Sequence, residues 1–253
     1  MQLLSGEYLT VTDYFGPIQE VGTAPFVAEA AAIERDAAIE KHPFFPFAQT
    51  HRDAVVFWAS QEAVVTNPFS QTLFRVLANI KNVHIRSVLM PVVEGEHDTV
   101  QSGIARRSHP WLLWELCLAI GIDPHKIRIS EAVRQFIAVL NESANNPMRA
   151  LGVLGIGNEM MLVEEYAAIR TCFDAHFPNK IHNDFLQANI SEDVSHTRII
   201  GHAATALWRL GFSATDFVSG ARDGVAARVN YYDMLLRELD SAHREPAVHK
   251  EHR

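Results

Sequence analysis

The sequence lacks several features that mark common classes of protein. Its two cysteines, Cys117 and Cys172, lie in apolar stretches and form no CxxC pair, so we expect buried thiols in a reducing compartment. The net charge is −8 and basic residues form no stripe, which argues against nucleic-acid binding. No apolar run reaches the roughly 18 residues that a membrane span needs, and the first residues lack the basic and apolar regions of a signal peptide. We therefore expect a cytoplasmic protein that binds neither nucleic acid nor membrane.

The strict apolar–polar alternation of β-strands is almost absent, and helical periodicity takes its place along the chain. We predict an all-α fold of about eight or nine helices in one domain over residues 25–240, an irregular arm at 1–24 and a flexible polar tail at 241–253. The helices are expected at residues 25–41, 50–65, from 68 onward, 83–98, 109–121, 130–145, 148–177, 183–210 and 215–238. Prolines 43 and 46 predict a break after the first helix, and residues 99–108 predict a polar loop.

The segment around Asp193 and His196 is the most informative part of the sequence. These two residues are three apart, so on a helix a carboxylate and an imidazole project from one face about one turn apart. Asn189 lies one turn earlier on the same face. A non-haem iron or manganese site in a helical bundle needs side chains of this kind.

Two further elements offer matching side chains. Glu96 ends one predicted helix and His109 begins the next. Glu159 stands in an almost wholly apolar run, where an unpaired carboxylate is costly unless a cation or strong donor satisfies it. Glycines 152, 155 and 157 precede it, and they indicate either a thinned helix wall beside a cavity or close helix–helix packing.

The order Glu96, His109, Glu159 and Asp193-x-x-His196, with Phe185-Leu-x-x-Asn189 before the last pair, resembles the haem-oxygenase-like diiron oxidases and oxygenases. These share their fold with chlamydial death-domain-associated protein, pyrroloquinoline-quinone synthase and thiaminase II. The resemblance covers roughly residues 25–238. It implies a haem-oxygenase-like helical bundle that uses O2 to oxidise a small amino-acid-derived or fatty-acid-like substrate, and a homodimer is compatible with this fold.

The resemblance also implies a ligand set. Catalytic roles would fall to Glu96, His109, Glu159, Asp193 and His196, and these residues together with Asn189 would bind Fe(II), as two ions, with manganese as an alternative metal. The family usually has histidine where this chain has Asn189, and an amide oxygen is a weaker Fe(II) ligand than imidazole. One site is therefore expected to be weak or empty. A cofactor-free enzyme of the same fold and a non-catalytic helical interaction protein remain as alternatives.

Overall fold

The computed structural model describes residues 23–101, 104–178 and 184–244. Nearly all of these residues are helical, and the prediction of an all-α fold is confirmed. The elements in chain order are α1 (Pro25–Ala37), a 3-10 turn (Ile39–Lys41), α2 (Phe44–Thr50), α3 (Arg52–Asn79), α4 (Val83–Gly95), β1 (Thr99–Gln101), β2 (Ile104–Arg106), α5 (His109–Ala119), a second 3-10 turn (Pro124–Lys126), α6 (Glu131–Ser143), α7 (Pro147–Leu154), a π-helical segment π1 (Gly155–Met160), α8 (Met161–His176), α9 (Asp184–Arg209) and α10 (Ala214–Arg244).

Side-chain caps begin several of the helices at the expected places. Ser130 accepts a hydrogen bond from the backbone N–H of Val133 at the start of α6. Asn82 caps α4 in the same way, and Asn146 caps α7 just before Pro147. Such caps satisfy backbone donors that the first helical turn leaves without partners. The helix predicted at residues 130–145, with a new helix after it, is confirmed.

The break predicted after the first helix is confirmed, since α1 ends at Ala37 and α2 begins at Phe44, whereas the new helix predicted from Pro68 is wrong. Pro46 lies in the first turn of α2, where a backbone N–H has no intrahelical partner and its loss is harmless. Pro68 lies inside α3, which runs through it without interruption. An interior proline costs about 3 kcal/mol, and the buried face of α3, which includes Trp58 and Leu73, offsets that cost by packing on its neighbours.

The predicted polar loop at residues 99–108 instead contains a short antiparallel hairpin. Strands β1 and β2 pair with Val100 opposite Ala105. The hairpin joins the end of α4 to the start of α5, so it connects the two helix ends that carry Glu96 and His109. The sequence signal for it is weak because each strand has three residues.

Close packing between α7, π1 and α10 explains the glycines. A Cβ atom on Gly157 would lie 2.4 Å from the Cα of Gly224, and one on Gly152 would lie 2.1 Å from the carbonyl oxygen of Phe217. No side chain fits at either distance. Of the two alternatives, close helix–helix packing is therefore correct for these two positions.

One connected cluster of buried apolar side chains extends from Ala24 to Leu239. Helix α10 reaches Arg244, inside the segment predicted as a flexible tail. Residues 1–22 of the arm predicted at 1–24, and the rest of the tail at 245–253, lie outside the described residues. No helix in the described ranges combines the length and apolar character required to cross a membrane.

Candidate metal centre

Helix α9 contributes two of the predicted ligands from one face. Asp193 and His196 are both buried, with 1% and 5% of their surfaces exposed. The imidazole Nδ1 of His196 lies 3.7 Å from Asp193 Oδ1, so the spacing of three residues places the two groups side by side as predicted. Helix α9 packs against α4, α5, π1 and α8, the elements that border the rest of the site.

Glu159 reaches the same place from π1. The sequence predicted a regular helix over residues 148–177, and the structure differs by the π-helical turn at Gly155–Met160. Segments of this kind occur often at functional sites. Glu159 Oε2 lies 3.2 Å from the Nδ1 atom of His196. Glu159 itself is 2% exposed.

Glu96 and His109 form the second half of the site. Glu96 directly follows α4, and His109 is the first residue of α5. Their side chains are buried and hydrogen-bonded, with 3.0 Å between Glu96 Oε1 and His109 Nδ1. The rings of His109 and His196 have centroids 6.3 Å apart, so the two halves lie next to each other.

Gly95 creates the space in which the two imidazoles meet. A Cβ atom at this position would lie 3.1 Å from Cε1 of His196 and 3.3 Å from Cε1 of His109. Sequence reasoning missed this residue. Locally, the sequence shows only a glycine before Glu96 at the end of an apolar helix. The need for a glycine there comes from its tertiary contacts with the two histidines.

The structure thus brings the predicted ligand residues together. Among the described residues, Glu159, Asp193 and His196 form a group whose ligand atoms lie within 4.8 Å of one another. Asn189 is buried and lines the same cavity as Glu96, His109 and Glu159. Its amide Nδ2 donates to the carbonyl oxygen of Phe185 at 2.7 Å, which leaves the amide oxygen as the group able to bind a cation.

Two buried carboxylate oxygens in this cluster, Glu96 Oε2 and Asp193 Oδ2, lack a hydrogen-bond partner, and a third buried atom, His109 Nε2, makes no hydrogen bond of good geometry and has only Glu192 at ion-pair distance. Buried polar atoms are normally satisfied, and each exception calls for an explanation. All three belong to residues predicted to bind metal. Carboxylate oxygens and imidazole nitrogens are the donors that iron and manganese accept, so the residues fit a metal centre.

The closely spaced acidic groups raise the pKa values of Asp193 and His109. Burial raises the pKa of Asp193 well above its usual value, and the nearby carboxylates of Glu159 and Glu96 raise it further. Burial alone would lower the pKa of His109, but Glu192 and Glu96 outweigh it and raise this pKa to about 10. In the absence of another cation, a protonated imidazole is thus the positive charge that the carboxylates stabilise.

Glu192 is a second residue that sequence reasoning missed. Its Oε2 lies 3.4 Å from His109 Nε2, within ion-pair distance. The signal was present, since Glu192 precedes Asp193. Adjacent helical residues point about 100° apart, however, and only the position of α5 brings His109 within reach of Glu192.

The cavity beside the cluster is small and largely apolar. It has a volume of about 20 Å³, enough for about one water molecule. The apolar side chains of Val65, Phe69, Leu162 and Phe185 line it, and the buried carboxylate of Glu62 closes one side.

A buried polar network holds Glu62 in place. The guanidinium of Arg228, fully buried, donates to Glu62 Oε1 at 2.8 Å and to Glu165 Oε2 at 2.7 Å. The Tyr166 hydroxyl donates to Glu62 Oε1 at 3.0 Å, and the Tyr231 hydroxyl donates to Glu62 Oε2 at 3.2 Å. Each carboxylate is thus paired with charge and hydrogen bonds, which makes burial of the three ionic groups tolerable.

The chain matches one protein family and shares its fold with solved structures. A family model described as an iron-containing redox enzyme matches residues 56–229. Two crystal structures of a CADD-like protein of unknown function from Nostoc punctiforme share the fold. One has a TM-score of 0.64 at 13% identity and covers 83% of this chain and 98% of that one. The other has a TM-score of 0.58 at 15% identity and covers 86% and 90%. No curated protein matches the sequence.

Proposed function

The chain belongs to the iron-containing redox enzyme family, and from this premise we propose that it is a non-haem iron-dependent oxidase or oxygenase. It would activate O2 at a dinuclear site and oxidise a small amino-acid-derived or fatty-acid-like substrate. The observation that carries the proposal is the pair of partnerless buried carboxylate oxygens, Glu96 Oε2 and Asp193 Oδ2, beside two buried imidazoles. These atoms meet in one buried cluster, where a bound cation would satisfy them.

The chain offers two groups of ligands. Glu159, Asp193 and His196 would hold one ion, since their ligand atoms already lie close together. Glu96 and His109 would hold the other with the amide oxygen of Asn189. Because that amide replaces a stronger imidazole ligand, we expect the second ion to be held less tightly. Bound iron would supply the electrons that reduce O2, which protein side chains do not provide.

The remaining residues would orient the ligands and exclude water. The hydrogen bonds to Glu62 keep that carboxylate at the edge of the cavity, and the apolar walls leave little room for solvent. A dry cavity protects a reactive oxidant from side reactions.

The two cysteines support this proposal over a cofactor-free enzyme with a thiol nucleophile. Burial raises the pKa of the Cys117 thiol to about 12 and that of the Cys172 thiol to about 11. Neither thiol would be ionised near neutral pH, and the thiolate is the reactive form.

Anaerobic Fe(II) titration followed by exposure to O2 tests the proposal. We expect uptake of about two iron ions per chain, with one bound more weakly, and oxidation of the loaded iron when O2 is added. His196→Ala should abolish tight uptake. The matched control is His202→Ala, because His202 is an exposed histidine on the same helix. This variant should take up as much iron as the wild type. A wild-type chain that takes up no iron, or a His196→Ala chain that takes up as much as wild type, would refute it.

A further inference from the structure

A second, much larger cavity lies behind the helices that carry the metal ligands. Its volume is about 520 Å³, within the range of small-molecule sites. Met160 of π1 and Val194 and Thr197 of α9 form part of its wall. These residues directly follow Glu159, Asp193 and His196 in the sequence, so the two cavities share the same stretches of backbone.

One buried carboxylate faces this cavity without a partner. Glu34 of α1 lines it and is 6% exposed. Within the described part of the chain, no hydrogen bond or ion pair satisfies its carboxylate. Burying a carboxylate in this way costs free energy unless a cation or a donor reaches it.

A second polar atom of the cavity wall also lacks a hydrogen-bond partner. Thr197 Oγ1 is buried and has no hydrogen-bond partner, although Thr197 lines the cavity. A ligand that donates hydrogen bonds would satisfy both Glu34 and Thr197. The other charged groups on the wall are Glu40, Glu164 and Arg35, so carboxylates outnumber cations and favour a positively charged ligand.

The rest of the wall is apolar. Met160, Val163 and Val194 contribute alkyl or thioether groups, which favour an apolar body on the ligand. A metal ion fits this cavity poorly: among the described residues, its carboxylates do not belong to a cluster tight enough to hold one.

We propose that this cavity is a binding site for a primary amine that carries a short apolar chain. Its ammonium group would donate to the Glu34 carboxylate and to Thr197 Oγ1, and its chain would lie against Met160, Val163 and Val194. An ammonium group has three donors and no acceptor, which matches a wall of partnerless acceptors. The site does not depend on the iron chemistry proposed above.

Isothermal titration calorimetry of the 253-residue chain with n-hexylamine tests this site, and hexanoate, which has the same number of carbon atoms, is the comparison ligand. We expect saturable binding of hexylamine and none of hexanoate. Glu34→Gln should weaken hexylamine binding at least tenfold, since it removes a charge-assisted hydrogen bond. The control Glu29→Gln changes an exposed glutamate on the same helix and should shift affinity less than twofold.

Two further measurements locate the site and guard against a folding artefact. In protein labelled at the methionine methyl groups, hexylamine should shift the resonance of Met160, assigned with Met160→Leu. Val194→Trp narrows the cavity from a position that is 63% exposed and should also weaken binding at least tenfold. No saturable hexylamine binding, equal binding of hexanoate, or unchanged affinity in both Glu34→Gln and Val194→Trp would overturn the proposal.

Discussion

Gly95→Ala tests whether the spacing of the two imidazoles matters for metal binding. The added methyl would lie 3.1 Å and 3.3 Å from the Cε1 atoms of His196 and His109, whereas carbon atoms pack best at about 3.5–4.0 Å. Each ring must therefore move by a few tenths of an ångström. Metal–ligand distances tolerate shifts of about 0.2 Å, so we expect iron affinity to fall roughly 10- to 100-fold, as for other changes that misplace ligands.

The matched control is Gly201→Ala. A Cβ there would lie 3.2 Å from a methyl carbon of Val27 and 3.5 Å from one of Thr23, so it is similarly crowded but touches no predicted ligand. Both variants should lose about 1–3 kcal/mol of stability by overpacking, measured by urea unfolding. Only Gly95→Ala should lose iron affinity in an anaerobic competition titration. Equal iron affinity in the two variants would refute the reasoning.

Three further substitutions are expected to change stability or iron binding. Arg228→Met should cost about 3–5 kcal/mol in urea unfolding, because it strands the carboxylates of Glu62 and Glu165. Asn189→His should raise iron occupancy toward two full ions per chain in metal analysis, because imidazole binds Fe(II) better than an amide. Burial, with Glu164 next, raises the pKa of Glu34 to about 6 from 4.5, so Glu34→Gln should stabilise the chain by about 2 kcal/mol well above pH 6 and hardly at all well below pH 4.5.

Each of these outcomes has a counterpart that would contradict it. For Arg228→Met, adding Glu62→Gln and Glu165→Gln should recover much of the lost stability, and no recovery would mean that the carboxylates are not the cause. Unchanged occupancy in Asn189→His would remove the explanation for a weak second ion. A Glu34→Gln effect that is the same at pH 5 and pH 8 would show that Glu34 is not buried as an ionised group.

Local patterns were enough to predict much of the fold. Cap residues such as Ser130 act on the backbone a few residues away, so their effect is visible in the sequence. The pair Asp193 and His196 was identifiable for the same reason, because helical spacing alone places them on one face. Glu159 was identifiable from the cost of burying its charge among apolar neighbours.

The features that the sequence did not predict have a different origin. Each depends on contacts between segments that are distant in the sequence. Pro68 was expected to begin a new helix, and only the packing of α3 against its neighbours makes an interior proline tolerable. The π-helical turn before Met161 has no sequence pattern of its own. Gly95 and Glu192 acquire their roles from the placement of α5 beside α4 and α9.

The buried arginine network is the largest feature without a sequence signal. Arg228 stands in a helix of mixed polarity, and nothing near it in the sequence marks it as fully buried. Its partners Glu62 and Glu165 are 166 and 63 residues away. A buried arginine of this kind becomes recognisable only when the fold brings its carboxylates together.

Anomalous diffraction at the iron absorption edge, from crystals soaked anaerobically in Fe(II), tests the central claim most directly. We expect a strong anomalous peak within bonding distance of Glu159, Asp193 and His196, and a weaker one beside Glu96 and His109. Crystals that show no peak at this cluster, or peaks only at surface residues, would contradict it.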